Sequence, residues 1–159
     1  SFSNFENYSL KLWNKSINTN LTGAFLIAKN TISFLERNKG SLIFISSIYG
    51  IVGPDNRIYK SQKFRTLSSY STSKAGLIGL SKWLATNYAQ KNIRVNTIIP
   101  GGIEDKQNKT FIKNYSKRVP MKRMGKINEL NGILAYLIGG KSSYVTGQEF
   151  IIDGGLSSW

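Results

Sequence analysis

Tyr70 and Lys74 stand four residues apart in Tyr70-Ser71-Thr72-Ser73-Lys74, a spacing that puts both side chains on one face of a helix. A phenol has an ordinary pKa near ~10 and is a poor base at neutral pH. A neighbouring ammonium favours the phenolate, so the pair can take or give a proton near pH 7. That is the proton chemistry an alcohol/carbonyl interconversion needs at its oxygen. The spacing alone is weak, because Tyr59 and Lys63 repeat it. Context separates the two pairs. Lys74 leads into Ala75-Gly76-Leu77-Ile78-Gly79-Leu80, small residues and then an amphipathic helical pattern, whereas Lys63 is followed by Phe64-Arg65-Thr66-Leu67-Ser68-Ser69, with no helical stripe.

Composition removes several other chemistries. The chain has neither His nor Cys, which excludes disulfides and the Ser-His-Asp and Cys-His hydrolases and leaves zinc without its usual ligands. The eight acidic residues are scattered and form no hard-cation cluster. A net charge of +14 points to phosphate-bearing partners, nucleic acid among them. The basic residues nevertheless run from Lys11 to Lys141 without one dense block, which favours compositional drift over a nucleic-acid surface. The polar start and strand-sized apolar runs show no signal peptide or membrane span, and a cytoplasmic protein is expected.

The elements that must position the pair follow from periodicity. Leu10, Trp13, Ile17, Leu21, Ala24, Phe25 and Ala28 predict a long helix over 8–37, ended by Asn38 and Gly40. Ser41-Leu42-Ile43-Phe44-Ile45-Ser46 reads as a buried parallel strand. Residues 50–69 are expected as a long polar loop, and 71–90 as a second helix with Leu77, Leu80, Leu84 and Tyr88 inward. A strand over 93–99 stops at Pro100-Gly101-Gly102. Residues 104–123 read as a basic, loosely helical stretch. Asn128 is the expected cap of a third helix to about 138, and 149–152 is a last strand. Alternating helix and strand argues for α/β with a parallel sheet.

These segments together resemble the short-chain dehydrogenase/reductase family. Tyr70-Ser71-Thr72-Ser73-Lys74-Ala75-Gly76 is followed by Ile93-Arg94-Val95-Asn96-Thr97-Ile98-Ile99-Pro100-Gly101, as in that family. Asn20-Leu21-Thr22-Gly23-Ala24-Phe25 is similar to the segment bearing its active-site Asn, and Gly40 to Ser47 to the strand ending in its Ser. Val145-Thr146-Gly147-Gln148 and Ile152-Asp153-Gly154-Gly155 are similar to its C-terminal signature. The resemblance implies a partial Rossmann-like, doubly wound parallel sheet lacking its N-terminal strands, with 1–159 as the C-terminal catalytic part of one domain. It implies NAD or NADP as cofactor, a small carbonyl or alcohol substrate, and a homo-oligomer when complete. Tyr70 would be the acid/base. Lys74 would assist it and bind the nicotinamide ribose, Ser47 would bind the reacting oxygen, and Asn20 would hold a water leading from Lys74 to solvent. Pro100, Gly101 and the Ile103 backbone would line the nicotinamide, and 104–123 would close over the substrate.

The sequence departs from the family in three ways. No Gly-rich turn after a strand is present to hold a pyrophosphate, and the 41–46 strand is expected to have an unpaired edge. Tyr70 lies 23 residues after Ser47, whereas Tyr59 lies at the more usual 12. The extra residues would form a loop beside the site, whose Arg57, Lys60, Lys63 and Arg65 suit an anionic substrate; a longer loop of this kind resembles family members of bacterial surface-sugar and flagellin-modification pathways, which implies a sugar-related substrate, and a solvated basic loop is the plain alternative. Asp105 stands where the family often has Thr, and Asp repels phosphate. Two rival readings remain at this point, a truncated non-catalytic remnant and a basic nucleic-acid-binding protein.

Overall fold

The computed structural model describes residues 5–59 and 66–159. The expected first helix is continuous but not uniform. It runs as α1 (Leu10–Ile17), a π-helical turn over Asn18–Thr22, and α2 (Gly23–Asn38). A π turn inserts an extra residue into the helical repeat and often marks a functional position, and here Asn20 lies in it. The helix starts later than periodicity predicts because Tyr8 turns aside, placing its hydroxyl 2.8 Å from Ser69 Oγ. It ends with Lys39, not a glycine, in the left-handed region (φ 51°), while the Gly40 N–H donates to the Leu35 carbonyl at 2.8 Å.

β1 (Ser41–Ile45), β2 (Arg94–Pro100) and β3 (Glu149–Ile152) form one parallel sheet in the order β1-β2-β3. Ser41 pairs with Arg94 and Ile45 with Ile98; Thr97 pairs with Glu149 and Pro100 with Ile152. β2 is central, and Val95 to Ile99 are buried throughout, as its unbroken apolar run requires. Alternate residues of a strand face opposite sides. Val95 and Ile99 pack in clusters with Leu77 and Ile78 of α3 (Ser68–Tyr88). Arg94, of the other parity, donates to the Leu137 carbonyl (2.9 Å) near the end of α5 (Asn131–Ile138) and to Ser142 Oγ (2.7 Å). Helices therefore cover both faces, which is the doubly wound arrangement.

Three expectations need correction. α3 begins at Ser68, because Leu67 is extended and its carbonyl already accepts from the Tyr70 N–H at 3.0 Å; Tyr70 thus sits in the first turn. The 50–69 stretch is not simply a solvated polar loop, because Asn56–Tyr59 forms a 3-10 turn that buries Ile58 and Tyr59. Asn128 does not cap the third helix. It lies inside a 3-10 turn (Ile127–Leu130), and Glu129 reaches back to the Lys126 N–H at 2.7 Å. Arg123, bonded to the Glu129 carboxylate at 2.6 Å, is the main cause that holds this carboxyl down to about 2.

The C-terminal turn is stitched to the sheet by Asn96, which is fully buried. Its amide donates to the Val145 carbonyl (2.9 Å) and accepts from the Gln148 N–H (3.0 Å). Asn96→Ala strands both partners, and leaving buried polar groups unpaired costs about 1–3 kcal/mol each. A loss of about 2 kcal/mol or more is expected in urea unfolding of the variant, with the far-ultraviolet spectrum of the folded state retained.

Candidate active site

The end of β1 and the first turns of α3 are joined by direct contacts. Ser46 Oγ donates to the Lys74 carbonyl at 2.8 Å. Gly50 lies so close to α3 that a Cβ there would come within 2.9 Å of the Lys74 carbonyl carbon. The segment between them, Ile48–Gly50, is a 3-10 turn whose first N–H groups are capped by Ser47, its Oγ accepting from the Tyr49 N–H at 3.2 Å. Ser47 is thereby fixed on the same side as Tyr70.

Tyr70 and Lys74 do lie on one helical face, with Lys74 Nζ 5.7 Å from the centroid of the Tyr70 ring. The ammonium donates to the Ile45 carbonyl at 2.9 Å. Burial pulls the Lys74 pKa below its usual value. Backbone groups of β1 alternate in direction: Gly40 and Ser46 bond toward β2, so Ile45 points its carbonyl to the other edge, where no described strand pairs. Asn20 comes in from the π turn, and its amide donates to Ser73 Oγ at 3.1 Å; Ser73 Oγ in turn donates to the Tyr70 carbonyl at 2.7 Å. Gly76 permits this approach, since a Cβ there would meet Leu21 Cδ2 at 2.7 Å.

A cavity of about 440 Å³ opens between these elements. Ser47, Tyr70, Gly101 and Ile103, all candidates from the sequence, line it together. Lys74, Asn20 and Pro100 are not among its described wall residues. They support it: Lys74 and Asn20 through α3, and Pro100 by pairing with Ile152. The 101–103 segment is clamped. The Gly101 N–H donates to Ile152 (2.9 Å), the Gly102 N–H donates to the Tyr115 hydroxyl (2.5 Å), and the Gly102 carbonyl accepts from Gly125 (2.9 Å). Tyr115 belongs to α4 (Lys109–Arg118), the helical part of the stretch expected to close over the site. Burial is the main cause that pushes its phenol up to about 12, so it stays a neutral hydroxyl.

Sequence reasoning missed Tyr49, Tyr59, Gly102, Phe111 and Tyr115 as cavity residues. Tyr59 carried a signal, its 12-residue distance from Ser47, and Tyr49 and Gly102 lie close to candidate residues in the chain; Phe111 and Tyr115 reach the wall because α4 folds back over it. The basic loop residues are only partly visible. Arg57 donates to Asp55 at 2.9 Å, and Arg118 of α4 bonds the same carboxylate at 2.8 Å. Lys60, Lys63 and Arg65 lie outside the described residues. Asp105 has an exposed side chain, and its N–H donates to Gln107 Oε1 at 2.7 Å. No described helix is long and apolar enough to cross a membrane.

A family model described as enoyl-(acyl carrier protein) reductase matches residues 1–157. Glucose 1-dehydrogenase 2 of Bacillus subtilis (strain 168) is 36% identical over 156 residues, covering 94% of this chain and 57% of that protein. The post-translational flagellin modification protein A of Campylobacter coli is 34% identical over 142 residues, covering 89% and 56%. A crystal structure of a short chain dehydrogenase from Leptospira borgpetersenii serovar Hardjo-bovis (strain JB197) with bound NAD+ superposes with a TM-score of 0.89 at 37% identity, covering 99% of this chain and 61% of that one. The chain thus spans less than two thirds of the length of these relatives.

The Asp55 bridge ties the 50–59 segment to α4 and has a definite pH signature. Hydrogen bonding from Arg57 is the main cause that lowers the Asp55 pKa, against a burial effect that raises it. A depressed carboxyl contributes stability above its unfolded pKa and loses it as pH falls through the folded one. Asp55→Asn should therefore lower the thermal midpoint at pH 7 by a degree or two, on the order of an exposed ion pair, and the difference should shrink as the pH falls below the ordinary carboxyl pKa and through the lower folded one. A difference that stays constant down the acid limb would contradict the assignment.

Proposed function

The chain belongs to the short-chain dehydrogenase/reductase family, and on that premise we propose that it carries the proton-handling centre of an NAD(P)-dependent oxidoreductase that interconverts an alcohol and a carbonyl. The observation that carries the proposal is the convergence of Ser47, Tyr70, Gly101 and Ile103 on one cavity, with Lys74 beside the Tyr70 ring. Residues 1–159 act in this reading as the catalytic part of one Rossmann-like domain. The relative whose structure holds NAD+, and the dehydrogenase among the sequence relatives, are in keeping with it.

The cavity wall fits a nicotinamide. The bridge between Ile103 and Gly125 uses the Gly102 carbonyl and the Glu104 N–H, so the Ile103 N–H points away from it, and no described residue accepts that hydrogen. It is a ready donor to a carboxamide oxygen. Gly101 lets the Asp153 backbone approach, since a Cβ there would meet Asp153 Cα at 2.8 Å, and Pro100 ends β2 there. When bound, the cofactor supplies or accepts the hydride. The remaining work falls to side chains of this chain. In reduction, the Tyr70 hydroxyl gives its proton to the carbonyl oxygen and is left as a phenolate; in oxidation it takes the hydroxyl proton. Lys74 stabilises that phenolate electrostatically. An ammonium has three donors, and the Ile45 carbonyl takes one, so two remain for a ribose. Ser47 Oγ holds the reacting oxygen in line with Tyr70. Asn20 fixes the Tyr70–Lys74 turn through Ser73 and holds the water that leads a proton from Lys74 to solvent.

The substrate is a small carbonyl or alcohol compound, anionic or sugar-related, with α4 closing over it. A second copy of the chain packs on the exposed apolar face shared by α2 and α3, where Phe25 and Trp83 are uncovered.

Tyr70→Phe removes the transferable proton and nothing else of size. Carbonyl reduction, followed by loss of the reduced nicotinamide absorbance, should fall at least ~100-fold, with cofactor affinity unchanged. Tyr59→Phe should keep the chemical step. Loss of turnover in Tyr59→Phe but not in Tyr70→Phe would reverse the assignment.

A further inference from the structure

Tyr59, the tyrosine of the repeated spacing, is only 7% exposed yet borders the same cavity as Tyr70. Its hydroxyl lies 2.8 Å from Thr66 Oγ1 and 3.4 Å from the hydroxyl of Tyr49. Tyr49 and Thr66 are wall residues of that cavity too. Three hydroxyls therefore stand in a row, Thr66–Tyr59–Tyr49, at the wall of the reaction chamber. Each hydroxyl can both donate and accept, so the row can pass a hydrogen bond from one member to the next. The contact at the Tyr49 end is long for O–H···O, which leaves that phenol able to take a shorter partner. Burial, and then the Tyr59 hydrogen bond, push the Tyr49 pKa above its usual range, so it remains a neutral hydroxyl. Beside the row runs an aromatic wall, Tyr59 to Phe111 to Tyr115, with ring centroids 5.5 and 6.0 Å apart, a surface suited to the carbon face of a ring.

We propose that the Thr66–Tyr59–Tyr49 row reads a second hydroxyl on the substrate, so that this cavity selects hydroxylated carbonyl compounds and polyols, sugar-like rings included, over simple ketones and alcohols. This rests on the reading of Tyr70 as the group that meets the reacting oxygen. Tyr49 touches the substrate hydroxyl. Tyr59 is a positioning residue that orients the Tyr49 phenol, and Thr66 anchors the row. A site built to hydrogen-bond a substrate hydroxyl rejects the analogue that lacks it, because its own polar group is then left unpaired.

The test is an NMR titration of the chain with a matched pair of probes, trans-cyclohexane-1,2-diol and cyclohexanol. The wild-type chain should bind the diol about tenfold more tightly, the size of one net hydrogen bond. Tyr49→Phe should bring the two affinities together, and Tyr59→Phe and Thr66→Val should reduce the ratio part of the way. A ratio between probes is not moved by a merely structural loss, and thermal melts identify a variant that fails to fold; Thr66→Val then carries the test. Equal binding of the probes by the wild-type chain, no binding of either, or a ratio that survives Tyr49→Phe overturns the proposal. Tyr70→Phe should weaken both probes alike. A diol preference that persists while Tyr70→Phe leaves turnover intact would sink the acid/base reading and leave the hydroxyl reading standing.

Discussion

The bond from Ser46 Oγ to the Lys74 carbonyl (2.8 Å) fixes where a strand ends relative to where a helix begins, and the rest of the site hangs on that relation. β1 delivers Ser46 and Ser47; α3 delivers Tyr70 and Lys74 from its first two turns. Neither element specifies the other locally. Gly50 admits the helix backbone to a distance that a Cβ would block, and Ser46 then locks the two ends together. β2 supplies the rigid floor, buried from Val95 to Ile99 and packed through Leu77 and Ile78 of α3. A shift of about 1 Å between β1 and α3 would separate Ser47 from Tyr70, and misplacement on that scale is costly for catalysis.

Around this fixed point the polar groups fall into two kinds. Some are spent on the fold: Asn96 on the 145–148 turn, Arg94 on the last carbonyls of α5, and Asp153 on the Gly155 and Ser157 N–H groups at 2.8 and 2.7 Å. Others face the cavity with bonding capacity left, namely the Ile103 N–H, the Tyr49 phenol and Tyr70. That division separates reaction chemistry from scaffold more sharply than residue type does, because hydroxyls and amides occur in both groups. The net charge of +14 contributes little to this. Arg57, Arg118, Arg123, Lys82 and Lys91 are engaged in ion pairs at the surface, where such pairs contribute little stability.

Much of this was legible in the sequence. The three strands, the pairing of Tyr70 with Lys74 on one helical face and the arrival of Gly101 and Ile103 at the end of β2 follow from period, turn residues and motif order. Three things did not. The π turn at Asn20, where Leu21 packs closely over Gly76, has no local signature. The start of α3 depends on Leu67 being extended, which a Ser-rich segment does not advertise. The cavity wall from Tyr49, Tyr59, Phe111 and Tyr115 is assembled from segments far apart in the chain, and a period-based reading treats each aromatic as core. Tyr59 lacks an immediately following helical pattern, which argues against an acid/base there and says nothing about a place in the wall.

In the proposed function the groups around Tyr70 hold a nicotinamide. A fluorescence titration of NADH and NADPH against the chain, and against Lys74→Ala, measures this. Saturable binding of one reduced nucleotide at micromolar concentration is expected, with clearly weaker binding by Lys74→Ala. A chain that unfolds cooperatively, and is therefore folded, yet binds neither nucleotide, or binds equally well with and without Lys74, would contradict it.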